Sequence, residues 1–208
     1  MMYACRILII IFTFCSCQGQ NSELRSQKKI GGPCEGCEAA LEYDRKLSEK
    51  DTLPHFDDAV IKLKLTGTVF KKDGRTPAEN VIIYIYKTDQ NGICKTIGDE
   101  EGWAKRHGYI RGWVKTNSDG KYSFYTFRPG AYPNSQEPEH IHVTIKEPHK
   151  NPYYIDEFVF LDDPLLTQKA KLNLDNRGGS GVIQPRPQDN MLIIERDIVL
   201  GLNIPNYK

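Results

Sequence analysis

Charge of one sign is missing from this sequence: 28 lysines and arginines stand against 27 aspartates and glutamates, a formal net charge of +1. A chain so close to neutral has no long-range field with which to gather phosphates. No basic tract is interleaved with aromatics either, which argues against a nucleic-acid partner. Long apolar runs are missing too, except for Ile7 to Phe14 near the N-terminus, which excludes a multi-span membrane protein. Helical periodicity is sparse and no internal repeat is evident, so short strands are left as the material of the fold. With 208 residues, 39% of them hydrophobic, the chain is long and apolar enough for one domain with a real core.

The one apolar run has a place of its own. Residues 1–16 hold a single arginine, Arg6, then the run to Phe14 and a small or thiol segment. That is too short to span about 30 Å of hydrocarbon with margin but suits the core of a signal peptide. Phe14-Cys15-Ser16 directly before Cys17 resembles a bacterial lipobox. The expectation is export, with Cys17 lipidated and residues 17–58 forming a polar tether and an N-terminal segment. An ordinary cleaved signal or an uncleaved anchor is the alternative.

Cysteine is then scarce in the folded part, where only Cys34, Cys37 and Cys94 remain. In an oxidising compartment Cys34 and Cys37 can close a local disulfide, leaving Cys94 unpaired. One CxxC without a second pair is weak evidence for zinc, and without a βαβ context weak evidence for a thioredoxin-type site.

From about residue 59 the pattern turns to β. Residues 61–70 alternate with period two, 81–86 are continuously apolar and aromatic, and 112–116, 121–127, 140–145 and 154–160 continue the series. Asp73-Gly74 and Asp119-Gly120 supply turns. Residues 59–208 are therefore expected to form an all-β, two-sheet β-sandwich, preceded by a short helix within 37–50. Two connections are long for such a fold, Thr88 to Ile110 and Arg128 to Glu139, and loops of that length usually carry function.

The second long loop runs into Glu139-His140-Ile141-His142-Val143. Side chains at i and i+2 of a strand share a face, so both imidazoles can hold one metal. Arg128-Pro-Gly-Ala-Tyr132-Pro133 places a tyrosine on a bend shortly before them.

The order Leu65-x-Gly67-x-Val69, Asp73-Gly74, Tyr86-Lys-Thr-Asp89, Asn91-Gly92, Arg111-Gly112, Thr116, Asp119-Gly120-x-Tyr122-x-Phe124, Pro129-x-x-Tyr132-Pro133, His140-x-His142 and Asp162-Asp163-Pro164 resembles the intradiol ring-cleavage dioxygenases over roughly residues 60–200. The resemblance implies a non-haem Fe(III) centre with two histidines and two tyrosinates, acting on a catechol-type aromatic diol and O2. It makes His140, His142 and Tyr132 metal ligands, and makes Tyr132 the residue that takes a proton from the substrate. A membrane contact through the lipid anchor alone and a homo-oligomer are compatible with it.

Two positions depart from the family pattern. Cys94 stands where the second tyrosine ligand is expected, which leaves the thiol, water or a nearby phenol such as Tyr109 to fill the place. Glu137 stands where many members carry an arginine, so electrostatic help to the substrate is absent or reversed there. Glu157, on the strand after the histidines, either faces the pocket or is an ordinary exposed strand residue. Tyr84, Tyr86, Tyr122 and Tyr125 read as core or sheet-face aromatics, and His107 and His149 as exposed loop residues. Asn176 to Ser180 reads as a flexible loop near the pocket mouth, and Glu195-Arg-Asp197 as the polar start of a last strand. Beside the dioxygenase reading stand a binding lipoprotein without turnover and a zinc or copper protein using Tyr132, His140, His142 and Cys94.

Overall fold

The computed structural model describes residues 29–208, so the signal segment and Cys17 lie outside the described residues. The strands are β1 (Lys50–Thr52), β2 (Lys62–Phe70), β3 (Ile82–Tyr86), β4 (Arg111–Lys115), β5 (Lys121–Phe127), β6 (His140–Lys146), β7 (Tyr153–Phe160), β8 (Val182–Ile183), β9 (Arg186–Gln188), β10 (Met191–Glu195) and β11 (Ile198–Val199). They form one sheet in the order β1-β5-β2-β10-β9, with β11 also on β2, and a second in the order β4-β3-β6-β7-β8. The architecture is the two-sheet β-sandwich expected from the alternating strands. Two short helices, α1 (Ala104–His107) and α2 (Gln168–Leu172), lie in connections.

Period-two alternation fixes which face each strand buries. Leu63 and Leu65 of β2, Phe124 of β5, Ile83 and Ile85 of β3, and Ile141, Val143 and Ile145 of β6 meet in the core between the sheets. Each such aliphatic or aromatic side chain contributes about 1.5–3 kcal/mol when fully buried. The intervening residues of β3 and β6 therefore face outward, and there they are covered. Tyr84 and Trp113 form a second apolar cluster with Ala39, Ala40 and Leu47 of the N-terminal segment.

Several local expectations change. Residues 37–50 give only one 3-10 turn, Cys37–Leu41, and Lys50–Thr52 joins the sheet as a parallel strand beside β5. The loop at Asn176 to Ser180 is fastened, because buried Arg177 donates to Gly31 O at 3.2 Å and lies over the Tyr154 ring. Arg196 is likewise buried, not a polar strand start, donating to Asp156 O at 2.6 Å and stacking over Phe158. Both arginines exchange solvent mainly for backbone carbonyls and an aromatic face, with Asp175 3.6 Å from Arg177 Nε and the Nε of Arg196 left without a partner.

Candidate metal centre

His140 and His142 project from the outer face of β6, the strand at the middle of the second sheet. The pairing of β6 with β7 slips between Ile141 and Val143, which face Phe158 and Ile155, so Asp156 and Glu157 together oppose His142. A bulge of this kind re-aims side chains. Here it sets the Glu157 carboxylate 2.7 Å from His142 Nδ1. On the other side Tyr86 of β3 is the register partner of His142 and stacks on its ring at 4.3 Å.

The hydrogen bonds of the two imidazoles fix their tautomers. His140 Nδ1 lies 2.7 Å from Pro138 O, and a carbonyl only accepts, so Nδ1 carries the proton. Burial works against ionisation of Glu157, yet the hydrogen bond and charge of His142 outweigh it and hold the carboxyl below its usual range. His142 Nδ1 therefore donates to a carboxylate. With both Nδ1 atoms occupied, the two Nε2 atoms are left facing each other at 3.1 Å. The Tyr132 hydroxyl lies 3.2 Å from the Nε2 of His142.

Two imidazole nitrogens this close share either a proton or a cation, and the Tyr132 hydroxyl is placed to join either arrangement. Separations of 3.1 and 3.2 Å suit donors that share one ion at about 2.0–2.1 Å from each nitrogen. Nδ1–H bonded to a carbonyl or carboxylate is also the usual support of a metal-binding histidine. Two imidazoles and a phenol fit a transition ion such as iron, zinc or copper. Among the described residues His140, His142 and Glu157 form the one group of three His, Cys, Asp or Glu donors within 4.8 Å of one another. Cys94 stands outside that group.

Tyr132 and Cys94 reach the site on two loops that are tied together. Thr88 Oγ1 donates to Gly130 O at 2.7 Å and Gly130 N to Asp89 O at 2.8 Å. The Asp89 carboxylate accepts from Asn91 N and Ile93 N and so closes the turn before Cys94. Gly92, at φ 78°, lies against the Ala131 carbonyl so closely that a Cβ there would overlap it. This contact brings the half-buried Cys94 near Tyr132. Burial pushes the Cys94 thiol up, against the pull of Tyr132. Burial also raises Tyr132 well above the ordinary phenol range, helped by Cys94, Tyr86, Glu157 and Glu137. A cation would relieve the same negative surroundings.

The remaining expected residues divide. Glu137 is exposed and reaches the site only through its charge on Tyr132. Tyr109 is engaged elsewhere, its hydroxyl 2.6 Å from His55 Nε2, and does not fill the place of the missing phenol. His149 is exposed as expected. His107 is not: it is 5% exposed, stacked flat on Tyr86 at 3.8 Å, with Nδ1 2.8 Å from the Tyr84 hydroxyl. Burial lowers it to about 4.

Sequence reasoning missed Arg128. It grips Glu139 through Nε at 2.6 Å and Asp162 through both terminal nitrogens at 2.8 and 3.0 Å, and Asp163 accepts from Glu139 N. The Asp162-Asp163 pair thus anchors the approach to His140. An arginine before a long loop with an acidic pair downstream was the available signal.

No family model matches the chain. A protocatechuate 3,4-dioxygenase beta chain from Burkholderia cepacia is 25% identical over 140 residues, covering 64% of this chain and 59% of the relative. The chain therefore spans less than two thirds of that relative's length. This similarity agrees with the resemblance to the intradiol ring-cleavage dioxygenases. Solved structures of similar fold include the dioxygenase domain of a dioxygenase carbohydrate-binding protein fusion from Streptomyces sp. SirexAA-E, with a TM-score of 0.56 and 22% identity over 76% of this chain and 91% of that one. Hydroxyquinol 1,2-dioxygenase from Pseudomonas putida is similar at a TM-score of 0.55 and 18% identity, over 86% of this chain and 68% of that one.

Proposed function

We propose that the chain is an exported lipoprotein whose sandwich holds one ferric ion at Tyr132, His140 and His142. In this reading it opens a catechol-type ring with O2 between the two hydroxyl-bearing carbons. The observation that carries the reading is the pair of Nε2 atoms 3.1 Å apart, with both Nδ1 atoms engaged and the Tyr132 hydroxyl beside them. The ion, when bound, supplies the Lewis acidity that favours ionisation of a vicinal diol and reaction of its ring with O2.

The chain's own groups do the rest. Pro138 O and Glu157 hold the imidazoles in the tautomer that leaves Nε2 free. Tyr132, a strong base once ionised because its surroundings oppose the charge, accepts the proton of a substrate hydroxyl. Cys94 offers a soft thiol where a phenol is expected, which weakens turnover relative to a complete ligand set. The Cys34–Cys37 disulfide supports export, since such bonds persist in oxidising compartments. Cys17 is the proposed lipid site.

A second reading rests on the His140, His142 and Glu157 group, a two-histidine, one-carboxylate set that suits zinc. Metal content and visible absorbance of the protein purified without chelator, before and after adding catechol, separate the two. About one iron per chain with a band that shifts on catechol, together with ring-opened product, is the expected result. Zinc or copper without colour change from catechol would replace the first reading by the second. No stoichiometric metal after reconstitution would leave a binding module and refute both.

A further inference from the structure

A cleft of about 230 Å³ opens beside the donor set, and its two walls come from distant parts of the chain. One wall is Tyr86, His142 and Glu157; the other is Cys34, Glu35 and Gly36. The second wall is rigid for two reasons. The Cys34–Cys37 disulfide closes the loop, and Gly36, at φ 83°, is seated against His107 so tightly that a Cβ would lie 2.6 Å from Nε2. The volume is below the about 300–1,000 Å³ of pockets for larger ligands, so a single ring is the fitting size.

The charges on those walls have one sign. Glu35 and Glu157 both line the cleft, and among the described residues no lysine or arginine does. The nearby guanidinium groups are engaged: Arg106 pairs with Glu35, and buried Arg177 lies over Tyr154 with a hydrogen bond to Gly31 O. His107, also in the lining, gives its Nδ1 to Tyr84 and its face to Tyr86. A carboxylate on an incoming ring would meet the Glu157 charge and a Glu35–Arg106 pair that offers no net positive charge, whereas an ammonium group would meet the opposite charge of Glu157.

Resting on the function proposed above, we propose that the disulfide loop carries Glu35 as the charge filter of the cleft. The site then takes a single-ring aromatic vicinal diol that is uncharged or bears an ammonium group, and rejects one that bears a carboxylate. The test is equilibrium binding to the metal-loaded full chain at pH 7, by calorimetry, of three probes: 4-methylcatechol, 4-(2-aminoethyl)catechol and 3,4-dihydroxybenzoate. The first two bind at least tenfold more tightly than the third. Glu35→Gln narrows that ratio at least threefold with metal content unchanged, and raising the salt concentration narrows it in the unmodified protein. Equal or tighter binding of the carboxylate probe, or a ratio that neither Glu35→Gln nor salt moves, overturns the charge filter and leaves the dioxygenase reading in place. If none of the three probes binds a chain holding one metal ion, the dioxygenase reading fails and the filter fails with it.

Discussion

Glu157→Ala tests whether the metal centre is organised as its hydrogen bonds indicate. The carboxylate accepts from His142 Nδ1 at 2.7 Å, while the equivalent atom of His140 is held by the Pro138 carbonyl, which no substitution removes. One histidine is thus perturbed and the other serves as an internal control. Loss of such a supporting partner typically weakens metal binding about 10–100-fold. The Glu157 side chain is 42% exposed, so water replaces part of what is lost and the expected effect is near the lower end, about tenfold or 1.4 kcal/mol. A directly bound carboxylate would cost more: about 10–16 kcal/mol shared among four ligands is about 3 kcal/mol each, beyond 100-fold. Competition for Zn²⁺ against a chelating indicator measures the change without dependence on turnover. Glu157→Gln, which keeps an acceptor but not the charge, falls between wild type and Glu157→Ala. An affinity unchanged within about twofold would refute the orienting role, and a loss beyond about 100-fold would make Glu157 a ligand.

Three further outcomes are expected. Cys94→Tyr creates or strengthens a visible charge-transfer band in the iron-loaded protein and raises catechol cleavage; no gain in either would show that Cys94 does not occupy a ligand position. His107 is held neutral by burial, at about 4 against about 6.5 unfolded, so its contribution is full above pH 6.5 and is lost as pH falls from 6.5 to 4. The loss, about 3 kcal/mol at most, is read by urea unfolding across that range, and His107→Asn flattens it; equal slopes in the two proteins would contradict the assignment. Reduction of the Cys34–Cys37 bond, which closes a sequence separation of only 3, lowers stability by about 2 kcal/mol at most and the melting midpoint by about 4–8 °C. An unchanged midpoint with both thiols titrated would show that the loop is held by packing alone.

The strands were legible because their side chains obey a local rule. The alternation at Lys62–Phe70 and Lys121–Phe127 buries one face only, and a one-residue slip would expose Leu65 and Phe124 together, so pattern and register carry the same information. The outer face of the second sheet obeys no such rule. Tyr84, Tyr86 and Trp113 alternate correctly, yet they are covered by an N-terminal segment more than 35 residues away in sequence, as the Trp113 Nε1 bond to Ala39 O, across 74 positions, shows. Burial of His107 follows from that covering and from no feature of Lys105-Arg-His-Gly108.

The centre itself was half legible for a related reason. His140, His142 and Tyr132 are close in the chain, so strand periodicity and a proline-glycine bend were enough to place them on one side. Glu157 reaches His142 only because β7 carries one residue more than β6 opposite that histidine, and regular pairing gives no sign of such an insertion. Cys94 is brought to Tyr132 by the packing of Gly92 on Ala131, across a loop with no periodicity at all. The groups proposed to bind a metal and those proposed to tune it therefore differ in origin. The two histidines sit where any strand of this pattern would put them, and Glu157 and Cys94 depend on a bulge and a glycine contact. Substitutions at Glu157 or Gly92 are accordingly expected to change metal affinity and ligand set while the two sheets stay intact.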